Sequence, residues 1–289
     1  MSQGKKVYEN VIDEVNKFKV RNNVTDVWYR GESGVFSKMV PSMYRSGVLP
    51  ESAYTQTPRL KLHIPEKSTI LEYERWLHEK IVERTTNIHP DGYEHHGLWD
   101  WDIVFYQQHY GLPTRFIDWS YTIETGLYFA TNNDGKSDAV LWLLDPRKLN
   151  YLTRDVYELR AANGGQYKQF LQQNRIRAEK QLPVAITANP SQVVQRLYNQ
   201  KGTFVFTGLE YVSFRDFVER QSPIKGVEST EVLDKIIISA SDCKSLHEYL
   251  DVDLGISNKS LGLDEEDHLP KYFSFSKFQL DKDSYRFNN

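Results

Sequence analysis

The sequence predicts a protein of the α+β class, and two observations lead to this prediction. Stretches with apolar residues at helical spacing and short β-rich apolar runs follow one another in an irregular order, without the steady strand–helix alternation of a parallel sheet. The 289 residues, of which 39% are hydrophobic and 26% charged, are enough to bury a substantial core. There is no internal repeat and no low-complexity segment, so one large domain is expected.

The first part of the chain is predicted to contain two helices and a strand. Apolar residues recur at helical spacing over residues 7–18. Residues 27–29 are β-rich and run into Gly31, which indicates a strand that ends in a turn. Residues 48–68 are polar and contain three prolines, so a loop or lid is expected there. A helix with one apolar face follows over about 68–85.

The middle of the chain is predicted to alternate between helix and strand. A helix over about 98–110 stops at Gly111, a residue typical of helix ends. A strand is predicted at 116–119 and a helix at about 121–131. Residues 139–144 form an unbroken apolar run, which predicts a strand that is buried on both faces.

The last part of the chain is predicted to be richer in strands than in helices. Residues 150–182 are polar and are expected to be partly helical, and the last 30 residues are expected to be irregular. The remaining elements are expected as strands at 182–187, 202–206 and 235–239 and a helix at 242–250.

The charge distribution is uneven, although the net charge is only −3. Residues 147–180 contain eight lysines and arginines against three acids, and residues 242–267 contain eight acids against two lysines. The basic stretch could attract phosphate groups, or it could be an ordinary solvated helix face. The acidic stretch could dock a basic partner or fold back over the basic stretch.

Several classes of protein are disfavoured by what the sequence lacks. Its one cysteine, Cys243, can form neither an internal disulfide nor a cysteine-rich zinc site. Adjacent histidines such as His95 and His96 do not face each other on a helix, so no metal is expected. There is no nucleotide-binding glycine loop, no GxSxG and no HExxH. Without an apolar leader or an 18-residue apolar run, we expect a cytoplasmic protein without membrane attachment.

Residues 105–120 combine polar and aromatic side chains with a tight turn, which is typical of a functional cleft. His109 is expected at a helix end, while Arg115 and Asp118 lie three residues apart on a strand and should point to opposite faces. Asp118 could instead cap the next helix, and Arg115 could be a surface ion or an ion that satisfies the core. Arg30, at the end of its own strand, could form a buried salt bridge or bind a phosphate or ribose.

Four ordered motifs and two later segments stand out along the chain. The four motifs are Trp28-Tyr-Arg-Gly31, Pro41-Ser-Met-Tyr-Arg45, Gln108-His-Tyr-Gly-Leu-Pro-Thr-Arg-Phe-Ile-Asp-Trp-Ser120 and Leu127-Tyr-Phe-Ala130. The later segments are Arg196-Leu-Tyr-Asn-Gln-Lys-Gly-Thr-Phe204 and the strand and helix that begin at Lys235. Together they resemble the FRG domain, a family named for its Phe/Tyr-Arg-Gly motif.

The resemblance implies a fold similar to that of ADP-ribosyltransferases, with a split, mostly antiparallel β-sheet and flanking helices. It also implies NAD as the substrate and no metal. The residues that would act in catalysis are Arg30, His109, Asp118 and Gln200. The residues that would bind NAD are Tyr29, Gly31, Arg115, Trp119, Ser120 and Tyr128.

Within that scheme Arg30 would grip the NAD diphosphate, aromatic rings would stack on the nicotinamide, and His109 would be an acid–base group. Enzymes of this kind usually place a glutamate near the ribose, but the corresponding segment here begins with Gln200 and has no glutamate. The carboxylate would then come from Asp118, Glu32 or Glu124, or Gln200 would act by positioning alone.

The domain boundaries implied are an N-terminal helix at 1–26, an FRG domain at 27–261 and a C-terminal extension at 262–289 packed on it. The expected function is a toxin-like effector in phage defence or a toxin–antitoxin system, with an RNA or protein target and a neutralising antitoxin. Two alternatives stay open: an NAD-independent nuclease or RNA-processing enzyme, and a non-catalytic module that binds a nucleotide or a phage component.

Overall fold

The structure is a computed structural model in which part of the chain is described. Predictions for the loop at 89–92, for His95 and His96, and for most of the last 30 residues lie outside the described part. The described residues are 2–35, 39–45, 54–57, 62–65, 67–85, 101–109, 111–162, 182–187, 195–209 and 212–264.

A seven-stranded sheet forms the centre of the described part. Its order is β6-β7-β8-β4-β1-β5-β9, and every neighbouring pair is antiparallel except β6 and β7. Strands β2 and β3 pair with each other in a separate two-stranded sheet. The strands are β1 (Trp28–Glu32), β2 (Tyr54–Thr57), β3 (Leu62–Pro65), β4 (Phe116–Ser120), β5 (Ala139–Leu144), β6 (Arg160–Ala161), β7 (Val184–Thr187), β8 (Gly202–Phe206) and β9 (Leu233–Ile238).

Helices cover both faces of this sheet. A 3₁₀ turn at Ser42–Tyr44 follows β1. The helices are α1 (Gln3–Asn22), α2 (Lys67–Thr85), α3 (Trp101–His109), α4 (Ile123–Thr131), α5 (Pro146–Arg154), α6 (Gln195–Asn199), α7 (Phe214–Ile224), α8 (Ser229–Val232) and α9 (Ala240–Val252). This arrangement confirms the predicted α+β class with a mostly antiparallel sheet.

The core has one layer on each face of the sheet. On one face, α1, α4 and α9 pack over residues such as Tyr29 and Leu141. On the other face, α5 and α7 pack over residues such as Trp28, Trp119 and Trp142. Every residue of β5 is buried, because this strand is covered on both sides and flanked by β1 and β9.

The prediction of a loop or lid at 48–68 is wrong, because this segment contains two paired strands. Strand β2 pairs with β3 from Tyr54 opposite Pro65 to Thr57 opposite Leu62. Both strands of a two-stranded sheet are edge strands, where proline is tolerated, so Pro65 is compatible with this pairing. Proline content is therefore a poor guide to such short strands.

The described part contains no helix of the length and apolarity that a membrane span requires. It also contains no group of three or more histidine, cysteine or acidic side chains arranged to hold a metal ion.

Candidate functional site

A cavity opens where the central strands β1 and β4 part. Strand β1 pairs with β5 along its whole length, from Trp28 to Glu32. Its pairing with β4 is limited to one position, Tyr29 opposite Ser120. Beyond this position the ladder stops and a cavity of about 840 Å³ lies alongside both strands. The central sheet is therefore divided at the place where the functional motifs meet.

The cavity wall comes from seven parts of the chain. It combines three arginines with three acids, so its charge is mixed rather than uniformly basic. The lining residues are Tyr29, Arg30, Gly31, Glu32, Ser33, Gly34, Val35, Arg45, Gln108, Asp118, Trp119, Ser120, Thr125, Gly126, Phe129, Ser137, Asp138, Arg196 and Gln200.

Arg30 bridges the two strands at the point where their backbone ladder is interrupted. Its Nη1 donates to the carbonyl oxygen of Asp118 at 2.9 Å, and its Nε donates to Glu32 Oε1 at 3.1 Å. Glu32 is itself buried and accepts a second hydrogen bond from Trp142 Nε1 at 2.9 Å. A guanidinium has five N–H donors, so three on the Nη atoms remain after these two bonds. The expected salt bridge of Arg30 is thus present, and the side chain still faces the cavity.

Asp118 projects from the middle of β4 into the cavity. It is the exposed position in a strand whose other residues are buried. Its Oδ1 accepts a hydrogen bond from Gln108 Nε2 at 2.8 Å. The Gln108 Oε1 accepts in turn from Thr114 Oγ1, and Thr114 Oγ1 accepts from the Phe116 backbone N–H at 3.1 Å. Because its carbonyl is engaged by Thr114, the Gln108 amide presents its N–H side to Asp118.

We expect Thr114→Val to lower the free energy of unfolding by about 1–2 kcal/mol, because the buried Phe116 N–H and the partly buried Gln108 Oε1 lose their hydrogen-bond partner. Thr114 is 2% exposed, and valine has nearly the same shape without the hydroxyl. Chemical denaturation of the two variants Thr114→Val and Thr114→Ser measures the effect. The serine variant keeps the hydroxyl and should be the more stable of the two; the opposite order would refute this account.

Gly31 allows β1 to lie directly against α4. A Cβ atom at this position would be 1.9 Å from the Gly126 carbonyl oxygen and 2.4 Å from the Ala130 backbone nitrogen. The second half of the Arg-Gly motif is therefore explained by packing. The neighbouring Tyr29 is buried under α4, and this burial raises the pKa of its hydroxyl to about 12. Tyr29 is consequently a neutral core residue at physiological pH.

The turn after α6 is tied to the cavity and to the C-terminal segment at the same time. Ser120 Oγ donates to the Gln200 carbonyl oxygen at 2.8 Å. The side chain of Gln200 donates from Nε2 to the Leu261 carbonyl oxygen at 3.1 Å. Gln200 thus lines the cavity while its amide holds residues near 261 in place. Trp119 also borders the cavity, but its ring is 3% exposed and packs edge-on against Phe214.

Two predicted site residues, Arg115 and Tyr128, do not line this cavity. Arg115 is 3% exposed and binds both carboxylate oxygens of Glu74, at 2.7 and 3.2 Å. The Tyr128 hydroxyl donates to Asn258 Oδ1 at 3.0 Å, and its ring lies against His247. His109 is the last residue of α3, and its side chain lies outside the described part.

These positions decide between the interpretations that the sequence left open. Arg115 is the core-satisfying ion, since its partner Glu74 and the ring of Phe206 enclose it. Asp118 does not cap α4: Thr122 occupies the cap position, and Asp118 binds Gln108 instead. This placement corrects the expectation that Arg115 binds a ligand directly, because its guanidinium is already paired with Glu74 inside the fold.

The structure also distinguishes among the acids that could act near the ribose. Glu124 accepts a hydrogen bond from the Tyr8 hydroxyl at 2.6 Å and does not line the cavity. Glu32 lines the cavity but is engaged by Arg30 and Trp142. Asp138, which sequence reasoning missed, lines the cavity and accepts from the Ala240 N–H at the start of α9. Asp118 is the exposed carboxylate next to Arg30.

In the described part of the basic stretch at 147–180, three of its side chains form ion pairs. Arg147 binds Asp26 at 2.9 Å and Lys148 binds Glu231 at 2.6 Å, while Arg160 binds Glu158. Residues 163–181 lie outside the described part. The described portion therefore favours the interpretation of an ion-paired surface over that of a phosphate-binding stretch.

The structure is that of an α+β protein with a mixed-charge cavity at the division of its sheet. The family model of the FRG domain matches residues 25–139, which supports the FRG family for this part of the chain. The match includes Arg30, Arg45, Gln108 and Asp118 and confirms the family that the motifs predicted. It ends at 139, whereas the predicted domain extends to 261. No curated protein and no solved structure shows a significant match to the chain.

Proposed function

We propose that this cavity binds NAD and that the protein transfers ADP-ribose from NAD to a target molecule. The observation that carries the proposal is the meeting of Arg30 and Asp118 at the edge of the cavity between β1 and β4. A volume of about 840 Å³ lies within the range of small-molecule and cofactor sites. The resemblance of the motifs to those of ADP-ribosyltransferases supplies the class of reaction.

NAD supplies the labile bond between nicotinamide and ribose, whose cleavage leaves positive charge on the ribose. The role of Asp118 in this proposal is to stabilise that charge, because its carboxylate is exposed in the cavity. Gln108 fixes the direction of the carboxylate by donating to Oδ1. Arg30 presents its remaining N–H donors to the anionic part of the ligand. Gln200 holds the opposite wall through Ser120 and Leu261.

The biological part of the proposal is a toxin-like effector in phage defence or a toxin–antitoxin system. It is supported by the FRG domain and by the resemblance described above. The proposed target is an RNA or a protein, and the proposed partner is a neutralising antitoxin.

Asp118→Asn is expected to slow transfer from NAD by about 100-fold, because the variant keeps the shape and hydrogen bonding of the side chain but removes its negative charge. The measurement is the rate at which label from NAD enters the RNA or protein of a cell extract. Asp134→Asn is the matched control, since Asp134 is 86% exposed outside the cavity and asparagine tolerates its left-handed backbone. This control should transfer label at the wild-type rate.

Other results of the same incubation would replace the proposal. RNA cleavage in the absence of NAD would indicate the nuclease alternative. Binding of NAD without any transfer or hydrolysis would indicate a sensor module. Transfer that is unaffected by Asp118→Asn would leave the reaction in place and refute the role given to this carboxylate.

A further inference from the structure

We infer that the end of the cavity next to the C-terminus of α4 is a nucleobase subsite, which takes the adenine of NAD. This end is formed by Phe129 together with Ser33, Ser137 and Asp138, and the last three residues are called the serine rim below. The inference deepens the proposed function and rests on it for the identity of the ligand, because it assigns an orientation to NAD in the cavity.

Phe129 offers an aromatic face to a ligand in the cavity. Three aromatic residues are found among the described lining residues. Tyr29 and Trp119 are only 5% and 3% exposed, whereas Phe129 is partly exposed. Thr125 and Phe129 lie four residues apart on α4 and therefore share the helix face that borders the cavity. Phe129 is thus the lining ring with surface available for stacking, a contact that every base can make through its flat face.

Hydrogen bonds within the protein fix the position of the serine rim. Asn133 Nδ2 donates to the carbonyl oxygens of Ser137 at 2.9 Å and Ser33 at 3.3 Å. Ser137 Oγ donates to the same Ser33 carbonyl oxygen at 2.8 Å. Asp138 Oδ1 accepts from the Ala240 N–H at 2.8 Å. The rim is therefore held in a defined arrangement by the protein itself.

The second carboxylate oxygen of Asp138 is available to a ligand. Asp138 is exposed at the cavity, and its Oδ2 has no hydrogen-bond or ion-pair partner among the residues that the structure describes. A carboxylate accepts hydrogen bonds and donates none, so it selects a ligand group that carries N–H donors. The rim supplies a negative charge and no positive one, so it would repel a phosphate group. An uncharged group that donates hydrogen bonds is therefore the favoured occupant.

A nucleobase combines the two properties that this end of the cavity requires. Its flat face stacks on an aromatic ring, and the edge of adenine carries an exocyclic amino group at N6. With adenine stacked on Phe129, the N6 amino group would donate to Asp138 Oδ2. Phe129 would then provide most of the binding, and Asp138 would select the base.

The proposed reaction leaves the adenine, rather than the nicotinamide, for this end. Asp118 would face the ribose of the labile bond, and it lies beside Arg30, whose Nη1 donates to the Asp118 carbonyl oxygen. Ser33 follows Arg30 by three residues, which corresponds to about 10 Å along an extended chain. The nicotinamide half of NAD is therefore expected near Asp118 and the adenine half near the serine rim.

Calorimetric titration of the full chain with AMP and with IMP tests the inference, because these nucleotides differ at the edge of the base alone. IMP places a carbonyl oxygen where AMP has its amino group, and Asp138 would repel this oxygen. We expect IMP to bind about 10-fold more weakly than AMP. Phe129→Leu should weaken AMP binding by about 10-fold, and Phe129→Tyr, which keeps an aromatic ring, by much less. Tyr157→Leu removes an exposed ring outside the cavity and should bind AMP like the wild type.

Asp138→Asn gives a readout that a merely structural role would not change. The asparagine carbonyl can still accept from the Ala240 N–H, while its amide can donate to the carbonyl oxygen of IMP. We therefore expect this variant to bind IMP at least as tightly as AMP. A preference for AMP that is unchanged from the wild type would refute the role given to Asp138.

The outcomes separate this inference from the proposed function. AMP binding that depends on Phe129 and Asp138, in a protein that does not react with NAD, would support the subsite and refute the transfer reaction. Transfer with an unchanged KM for NAD in Phe129→Leu and Asp138→Asn would support the reaction and refute the subsite. A wild-type protein that does not bind AMP would also refute the subsite, and so would a Phe129→Leu variant that loses binding of free nicotinamide but not of AMP. Melting temperatures of the variants establish that each one is folded.

Discussion

Replacement of Gly31 by alanine is expected to lower the free energy of unfolding by about 3 kcal/mol. The added Cβ would overlap with the Gly126 carbonyl oxygen at 1.9 Å and approach the Ala130 nitrogen at 2.4 Å. Both neighbours are backbone atoms of α4, so a side-chain rotation cannot relieve the overlap. Strand β1 would have to move away from α4, and Arg30 would move with it. Urea unfolding followed by tryptophan fluorescence measures the loss.

Gly34→Ala provides the matched control for this substitution. Gly34 lies three residues further along the same segment and also borders the cavity. A Cβ atom there would have no heavy atom within 4 Å. We therefore expect Gly34→Ala to change the free energy of unfolding by less than about 0.5 kcal/mol. Equal stability of the two variants would contradict the close packing of β1 on α4.

Arg115→Met is expected to cost about 3–5 kcal/mol of stability, because it removes one partner of a buried ion pair. Arg115 is 3% exposed and engages both oxygens of Glu74, and its Nη1 also donates to the Thr207 carbonyl oxygen at 3.2 Å. Its guanidinium lies 4.4 Å from the centre of the Phe206 ring. The Glu74 carboxylate would lose this guanidinium while remaining mostly buried, which is the costly part of the change.

Two further variants determine whether the cost comes from the uncompensated charge. Adding Glu74→Leu to Arg115→Met removes both charges and should recover a large part of the lost stability. Arg147→Met breaks the exposed pair with Asp26, whose side chains are 45% and 49% exposed, and should cost less than about 1 kcal/mol. A double variant no more stable than Arg115→Met would show that the ion pair is not the cause.

Parts of the fold could be predicted because their sequence signals are local. Strand β5 matches the prediction residue for residue, since its unbroken apolar run ends at Asp145 and Pro146. Strand β8 matches equally well. Helix α7 was not predicted, because its buried residues Phe214 and Val218 lie among polar neighbours. The helix is stabilised by packing under Trp119, a contact that sequence spacing does not reveal.

The candidate site was only partly accessible from the sequence for a similar reason. The motif resemblance identified Arg30 and Asp118, and the structure places both at the cavity. The contact of Gln108 with Asp118 depends on how α3 meets β4, and Arg45 reaches the cavity from a turn that is hydrogen-bonded to Thr114, just before β4. Arg115 has the residue type of a ligand-binding group, but only the three-dimensional structure reveals its partner Glu74.

The single backbone rung between Tyr29 and Ser120 has a mechanical consequence. The strands on either side of it form two halves of the sheet. Each half has a continuous ladder of backbone hydrogen bonds, and the two are joined at this one position. A molecule that contacts Arg30 and Asp118 together would link the two halves of the sheet through bonds that the backbone does not supply. Occupancy of the cavity should then slow amide hydrogen exchange along the facing edges of β1 and β4, including at residues that the bound molecule does not touch.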